Sequence, residues 1–224
     1  MCGRFSLTKE ELEIEKRFNA KFYSNDLVKR YNVAPSQLAL VMTDEKPGEL
    51  QFLKWGLIPS WAKEPSIGYK MINAKSETVF EKPSFKNLIR KRRCLVISDG
   101  FYEWKPLMGK RKQPYRIGLK EEDLFAFAGL WDTWTDLESG EMIPTFTILT
   151  TNANPLVQPI HDRMPVLLHR EDEAKWLDNN TSESDIAALL KSFPESEMKA
   201  YPVSELVNSP KNDSPEVIDP VSQD

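Results

Sequence analysis

Four short segments of this 224-residue chain gather residues able to do chemistry. They are Cys2-Gly3-Arg4-Phe5, Met71-Ile72-Asn73-Ala74-Lys75-Ser76-Glu77, Asp99-Gly100-Phe101-Tyr102-Glu103-Trp104 and His161-Asp162-Arg163-Met164-Pro165. A small residue in second position normally lets the initiator methionine be trimmed, and Cys2 then carries a free α-amine and a thiol on adjacent carbons. This 1,2-aminothiol is a two-headed nucleophile. The amine condenses with an aldehyde, and the thiol closes on the imine to give a five-membered ring. Reference pKa values of roughly 7.7–8.0 for the amine and about 8.5 for the thiol suit neutral pH. Glu103, between Tyr102 and Trp104, is a carboxylate whose desolvation would raise its pKa toward the working range of a proton shuttle. His161 can protonate a ring or leaving oxygen near neutrality. Asn73 can hydrogen-bond a sugar without charge. Arg4, Lys75 and Arg163 can hold phosphate, arginine through a bidentate fork and lysine as a point charge. Each also has a plain structural reading: a surface carboxylate, a loop histidine, a turn asparagine, a thiol that merely lies near the start.

A fifth segment, from Lys54-Trp55-Gly56 to Ser60-Trp61-Ala62-Lys63, sets two tryptophans around Ile58-Pro59 between lysines. Aromatic–base stacking contributes ~1–3 kcal/mol per base, and apolar side chains can wedge between bases. Trp55 reads as core and Trp61 as the wedge. Net charge is −4, but residues 205–224 hold five acids and one base, so the rest of the chain is neutral. Within that rest lie two acid-free basic runs, one of Lys86, Arg90, Lys91, Arg92 and Arg93, the other of Lys105, Lys110, Arg111, Lys112 and Arg116. They bracket the Glu103 segment and point to a polyanion partner.

These residues need a frame. The chain is long enough for one large domain or two small ones, and 40% hydrophobic residues supply a core. Thr8-Lys9-Glu10-Glu11 reads as a capping box, with Ile14, Phe18 and Phe22 on one face of a helix over roughly 8–22. Runs at 38–42, 50–57, 94–104, 115–119, 124–134, 143–150 and 165–169 read as strands, and 171–178 and 184–193 as helices. There is no β-α-β alternation, so the expected class is α+β: a β-rich single domain, its twisted antiparallel sheets forming a barrel-like core with a few peripheral helices. The polar, proline-broken stretch from 205 reads as a disordered acidic tail. Cys94, in an apolar run, reads as an inert core thiol. Two cysteines and two histidines without zinc-finger spacing leave no metal site to expect, and no cofactor is called for. No apolar run nears 18 residues and no secretory signal opens the chain, so the expected setting is intracellular, without a membrane partner.

Met-Cys-Gly-Arg-Phe, Asn-Ala-Lys-Ser-Glu, Gly-Phe-Tyr-Glu-Trp and His-Asp-Arg-Met-Pro, in that order, resemble the SRAP family (SOS response-associated peptidase) from Cys2 to about Val203. Trp55 to Lys63, Tyr31 to Ser36 and Arg92-Arg93-Cys94-Leu95 resemble family segments too. The resemblance implies a sensor of abasic sites in single-stranded DNA. The Cys2 amine would form a Schiff base with the opened abasic sugar, and its thiol would close a thiazolidine, leaving a covalent crosslink. It implies that Asn73 stabilises the sugar. Glu103 would shuttle protons, being tied also to Met1 removal and crosslink reversal, and His161 would help open the sugar. The strand would be held by Arg4, Lys54, Trp61, Lys75, Lys86, Arg92 and Arg163. One departure is Lys75, where the family has arginine; charge survives and bidentate geometry does not. Three other readings compete: an N-terminal-nucleophile amidotransferase, a Cys2–His161 protease, and a non-catalytic single-strand binder.

Overall fold

The computed structural model describes residues 2–23, 27–121 and 123–221. The chain opens with β1 (Phe5–Leu7), α1 (Glu11–Phe18), β2 (Lys21–Phe22), β3 (Arg30–Val33), β4 (Leu38–Thr43), β5 (Glu49–Trp55) and β6 (Asn73–Lys75). It continues through α2 (Leu88–Lys91), β7 (Arg93–Ser98), β8 (Gly100–Pro106), β9 (Lys112–Leu119), β10 (Phe125–Thr135) and β11 (Met142–Asn152). Last come β12 (Arg163–Pro165), β13 (Leu167–Leu168), α3 (Arg170–Leu177), α4 (Glu183–Leu189) and β14 (Met198–Pro202).

Strands β5, β4, β7, β10 and β11 pair antiparallel in that order. A short parallel pairing, Thr145↔Lys54 and Phe146↔Trp55, returns β11 to β5 and closes a five-stranded barrel. A second sheet, ordered β14-β9-β8-β1-β3, covers one side. The expected α+β class with a barrel-like core is the class observed.

Alternation along the strands separates two cores, since successive side chains point to opposite faces. Val41, Leu53, Trp55, Val96, Phe127, Phe146 and Ile148 join Phe5, Phe101, Ile117 and Met198 of the second sheet. Leu40, Met42, Leu95, Ile97, Ala126 and Leu149 instead meet Ile14 and Phe18 of α1, Trp176 of α3 and Ile186 of α4. Cys94 is buried in the first core, against the face of Gly129 where a Cβ would approach its sulfur to 2.8 Å.

Several expectations change. The first helix begins at Glu11, not Thr8: Glu10 is the N-cap and forms the capping box with Glu13. Thr8 donates its N–H and hydroxyl to Asp99 instead, at 2.7 and 2.5 Å. The helix ends at Asn19, left-handed at φ 47°, so Phe22 falls in a strand. The single run expected at 94–104 is two strands in different sheets. At the corner, the Asp99 carboxylate takes Ser6 Oγ (2.6 Å) and the buried Arg116 guanidinium (3.1 Å). Gly100 permits this, because a Cβ there would lie 2.6–2.7 Å from the Arg116 guanidinium.

The largest correction concerns the acidic C-terminal stretch. Residues 205–221 are not a loose tail but a strap laid along the second sheet. Val207 and Val217 are fully buried with Tyr102 and Val203. Asp213 accepts the backbone N–H groups of Tyr31 and Asn32 at 2.6 and 2.9 Å and pairs with Arg30 at 2.5 Å. A polar stretch with few hydrophobes orders because each valine fills a formed cavity and the aspartate caps β3. Residues 222–224 lie outside the described residues.

Candidate active site

Strand β1 lies between β8 and the edge strand β3 of the second sheet, with Phe5 opposite Phe101 on one side and Val33 on the other. Tyr102 N–H donates to Arg4 O at 2.9 Å, extending the ladder to within two residues of Cys2. Cys2 therefore enters the core beside Phe5 and is wholly buried. Its thiol faces Arg4 O at 3.7 Å. Burial pushes the thiol pKa well above its ordinary range, and the negative charge of Glu103 adds to the shift.

Glu103 comes from β8, in register with Tyr115 of β9. Its neighbours are pinned: Tyr102 donates its hydroxyl to Tyr31 O (2.6 Å), and the Trp104 indole N–H donates to Asn208 Oδ1 (2.7 Å). Glu103 is itself buried, and desolvation raises its pKa to about 7, against the opposing pull of the amino-terminal charge and Lys112.

Asn73 begins β6, which pairs parallel with β11 at Ile148. Its neighbour Ile72 packs on the core that holds Cys2, and Ile72 O accepts the Trp55 indole N–H at 2.9 Å. Both polar atoms of the Asn73 amide are shielded from solvent and have no hydrogen-bond partner among the described residues. Leaving a buried polar group unsatisfied costs ~1–3 kcal/mol.

His161 follows the turn that buries Val157 and Ile160 in the same core. Its Nδ1 accepts the Arg163 backbone N–H at 3.0 Å and also lies 2.8 Å from an Asp162 carboxylate oxygen. One nitrogen cannot accept from the first and donate to the second. Burial lowers the His161 pKa, with the amino-terminal charge acting in the same direction, so the neutral ring with Nδ1 as acceptor is the consistent form. Its proton is then on Nε2. Asp162 is mostly exposed, and its contact with the ring strengthens only when the ring is charged.

The four motifs thus meet at one place. Each lends the Cys2 core a buried or partly buried hydrophobe: Phe5, Ile72, Phe101, and Ile160 with Met164. The electrostatics agree, since Glu103 acts on Cys2, while Lys112 and Asp162 act on both Glu103 and His161. Lys112 and Asp162 were not singled out from the sequence. Lys112 lay within a general basic run, and the β8–β9 pairing brings it within electrostatic reach of the carboxylate. Among the described residues no group of three or more His, Cys, Asp or Glu could hold a metal, and no helix is long and apolar enough to cross a membrane.

The predicted strand-holding residues separate into two sets. Trp55 is core and Trp61 is 62% exposed. Lys75 and Lys86 are exposed, and Lys54 lines a 220 Å³ pocket with Pro35, Ser36 and Tyr69. The three arginines are engaged elsewhere. Arg163 is buried, its fork closed on Glu77 at 2.6 and 2.9 Å, with Asn152 Oδ1 at 2.9 Å, and it ties β12 to the turn after β6. Arg92 pairs with Glu45 at 2.6 Å and lies over the Trp131 ring. Arg4 donates to Asn32 Oδ1 and to Val207 O of the strap and lies 5.9 Å from the Trp104 ring centre. The first basic run is largely consumed in the same way, for Arg93 is wholly buried on the carbonyls of Ile89, Trp176 and Asp178 and Arg90 pairs with Glu183.

Residues 1–210 match the family model described as SOS response associated peptidase (SRAP). A protein of Bacillus subtilis (strain 168) named abasic site processing protein YoqW is 49% identical over 98% of this chain and 99% of its own length. The Gallus gallus abasic site processing protein HMCES is 37% identical over 80% of this chain and 59% of its own. A crystal structure of a protein from Bacteroides thetaiotaomicron superposes with a TM-score of 0.91 at 34% identity, covering 99% of this chain and all of that one.

Proposed function

The chain belongs to the SOS response associated peptidase (SRAP) family, and on that premise we propose that it processes abasic sites, capturing the aldehyde of an opened abasic sugar in single-stranded DNA as a thiazolidine on Cys2. The observation that carries this reading is the full burial of Cys2 within electrostatic reach of Glu103, a buried carboxyl whose desolvation raises its pKa to about 7.

After Met1 is removed, the Cys2 amine attacks the sugar C1′ aldehyde to give a carbinolamine. Glu103 in its acid form protonates the departing hydroxyl, which leaves as water, and a Schiff base remains. The thiol then adds across the C=N bond. The Schiff base keeps its N–H proton, so the sulfur bonds to C1′ as the C=N electron pair returns to nitrogen, and the thiol proton goes to the Glu103 carboxylate, restoring its acid form. The net loss is one water, with no change of oxidation state. A pKa near 7 lets one carboxyl serve as acid and then base at neutral pH. His161, neutral with its proton on Nε2, helps open the sugar ring by proton donation to the ring oxygen. The Asn73 amide, which can both donate and accept, holds the sugar. Reversal runs through the same groups, and the same carboxyl can activate water for release of Met1.

The state of the thiol argues against a Cys–His protease. Such enzymes work with a depressed thiol pKa, whereas burial and Glu103 drive the Cys2 thiol upward. The amine therefore makes the first bond.

The test is an abasic oligonucleotide mixed with the protein, read by denaturing electrophoresis and intact mass. The expected adduct is the mass of Met1-trimmed protein plus DNA minus one water. A variant with one residue inserted before Cys2 should form none. Undiminished adduct in that variant, or no adduct with the trimmed protein, overturns the proposal.

A further inference from the structure

The two basic runs have different fates. Arg90, Arg92 and Arg93 of the first are held by Glu183, Glu45 and backbone carbonyls. In the second, only Arg116 is spent inside the fold, on Asp99. Lys105, Lys110, Arg111 and Lys112 cluster in the β8–β9 hairpin, and none has an ion pair among the described residues. No acid occurs from Trp104 to Lys120. Leu107 and Met108 stand at the apex, Met108 being 96% exposed. The hairpin is continuous with the site, since β8 carries Glu103 and Lys112 acts on both Glu103 and His161.

We propose that the β8–β9 hairpin is a second nucleic-acid arm, in which Lys105, Lys110 and Arg111 grip the phosphates of single-stranded DNA on one side of the reacting nucleotide. This deepens the proposed function and rests on it. Four cations without an ion pair among the described residues, in a hairpin whose own sequence carries no acid, fit a polyanion. Continuity with Glu103 fixes which polyanion, namely the strand whose nucleotide occupies the site. The reach of the arm follows from strand geometry. From Glu103 to the apex at Met108 is five residues, or roughly 16 Å at 3.3 Å per residue. At ~3.4 Å per phosphate along a stacked strand, the tip meets phosphates about four to five nucleotides from the lesion. The flexible Met108 side chain offers the bases there an apolar contact.

The test uses the full chain carrying Lys105→Gln, Lys110→Gln and Arg111→Gln together. A control triple, Lys16→Gln, Lys21→Gln and Lys175→Gln, makes the same charge change on α1, β2 and α3. Binding of an undamaged single strand is measured against salt by fluorescence anisotropy. Each phosphate contact contributes a slope of about 0.7, so three lost contacts flatten the plot by about 2 and weaken binding roughly tenfold to a hundredfold at 0.1 M salt. The loss should vanish when the strand is shortened to two nucleotides on one side of an abasic site and persist when the other side is shortened. A slope equal to wild type, a loss matched by the control triple, or a loss indifferent to both flanks overturns the arm. Equal melting temperatures of the two triples show that folding is not the cause. If wild type shows the hairpin-dependent slope but forms no adduct with abasic DNA, the aldehyde chemistry falls and the arm stands.

Discussion

Glu103 carries the clearest pH signature. Its carboxyl is raised from 4.5 to about 7, chiefly by burial. Between these values the folded state binds more protons than the unfolded one, so stability falls as pH rises from about 4.5 to about 7. The full shift corresponds to roughly 3 kcal/mol, an order of magnitude for a buried group. Glu103→Gln should therefore flatten the stability curve over that window and be the more stable protein above pH 7, as thermal melts at pH 5 and pH 8 would show. The same substitution should slow adduct formation by about 100-fold or more, the usual scale for a lost proton shuttle. Equal melts at both pH values would mean that Glu103 is not desolvated. Asn73 makes the opposite contrast between folding and chemistry. Its amide is buried and unsatisfied, so Asn73→Ala removes a cost and should leave the melting temperature unchanged or higher, while crosslinking falls at least tenfold. A variant that melts lower and crosslinks normally would identify Asn73 as a structural residue.

At the scale of elements, the β7–β8 corner sets the site. The sequence run 94–104 is rich in apolar and aromatic residues on both sides of Ser98-Asp99-Gly100, and propensity alone does not reveal that one strand leaves the barrel there and the next enters the second sheet. The break is made by Asp99, whose partners Ser6, Thr8 and Arg116 come from β1, the loop after it and β9. Gly100→Ala would press a methyl into the Arg116 guanidinium, which is ion-paired and buried and cannot swing aside. The expected cost is about 2 kcal/mol or more in chemical denaturation, with slower crosslinking, because Glu103 lies three residues further along the same strand. The basic runs show the same limit of sequence reading. Arg163 looks like a phosphate grip by residue type, yet Glu77, 86 residues away, has closed its fork. Charge density was legible. Which charges were already spent was not.

At the scale of the molecule, the C-terminal strap joins distant parts. Val207 and Val217 fill the cavity behind Tyr102, Asn208 takes the Trp104 indole, and Val207 O and Asn32 hold Arg4, two residues from Cys2. Ending the chain after Ser204 removes two fully buried valines, at about 1.5–3 kcal/mol each. The truncated protein should melt lower and crosslink more slowly. Asp213→Ala alone should show a smaller version of both, by unsatisfying the N–H groups of Tyr31 and Asn32. A truncated chain with unchanged stability and rate would return the segment to the status of a passive tail.

The chemistry proposed for the site can be read from the sequence because it depends on residue type. An aminothiol, a carboxyl, an imidazole and an amide can be recognised one at a time, and short motifs preserve them in order. The β-rich class was legible for a similar reason, since alternation within each strand is local. What the tertiary structure alone decided depends on encounters between residues far apart in the chain. It decided that Cys2 and Glu103 are both desolvated, which raises the pKa of each. It decided that Arg93 and Arg163 turn inward and that Arg90 and Arg92 pair with Glu183 and Glu45 at the surface, while the cations of the β8–β9 hairpin stay outside any ion pair among the described residues. It also made an acidic stretch with little hydrophobic content into a packed strap. Burial and pairing are properties of a place in space, and a residue's type does not carry them.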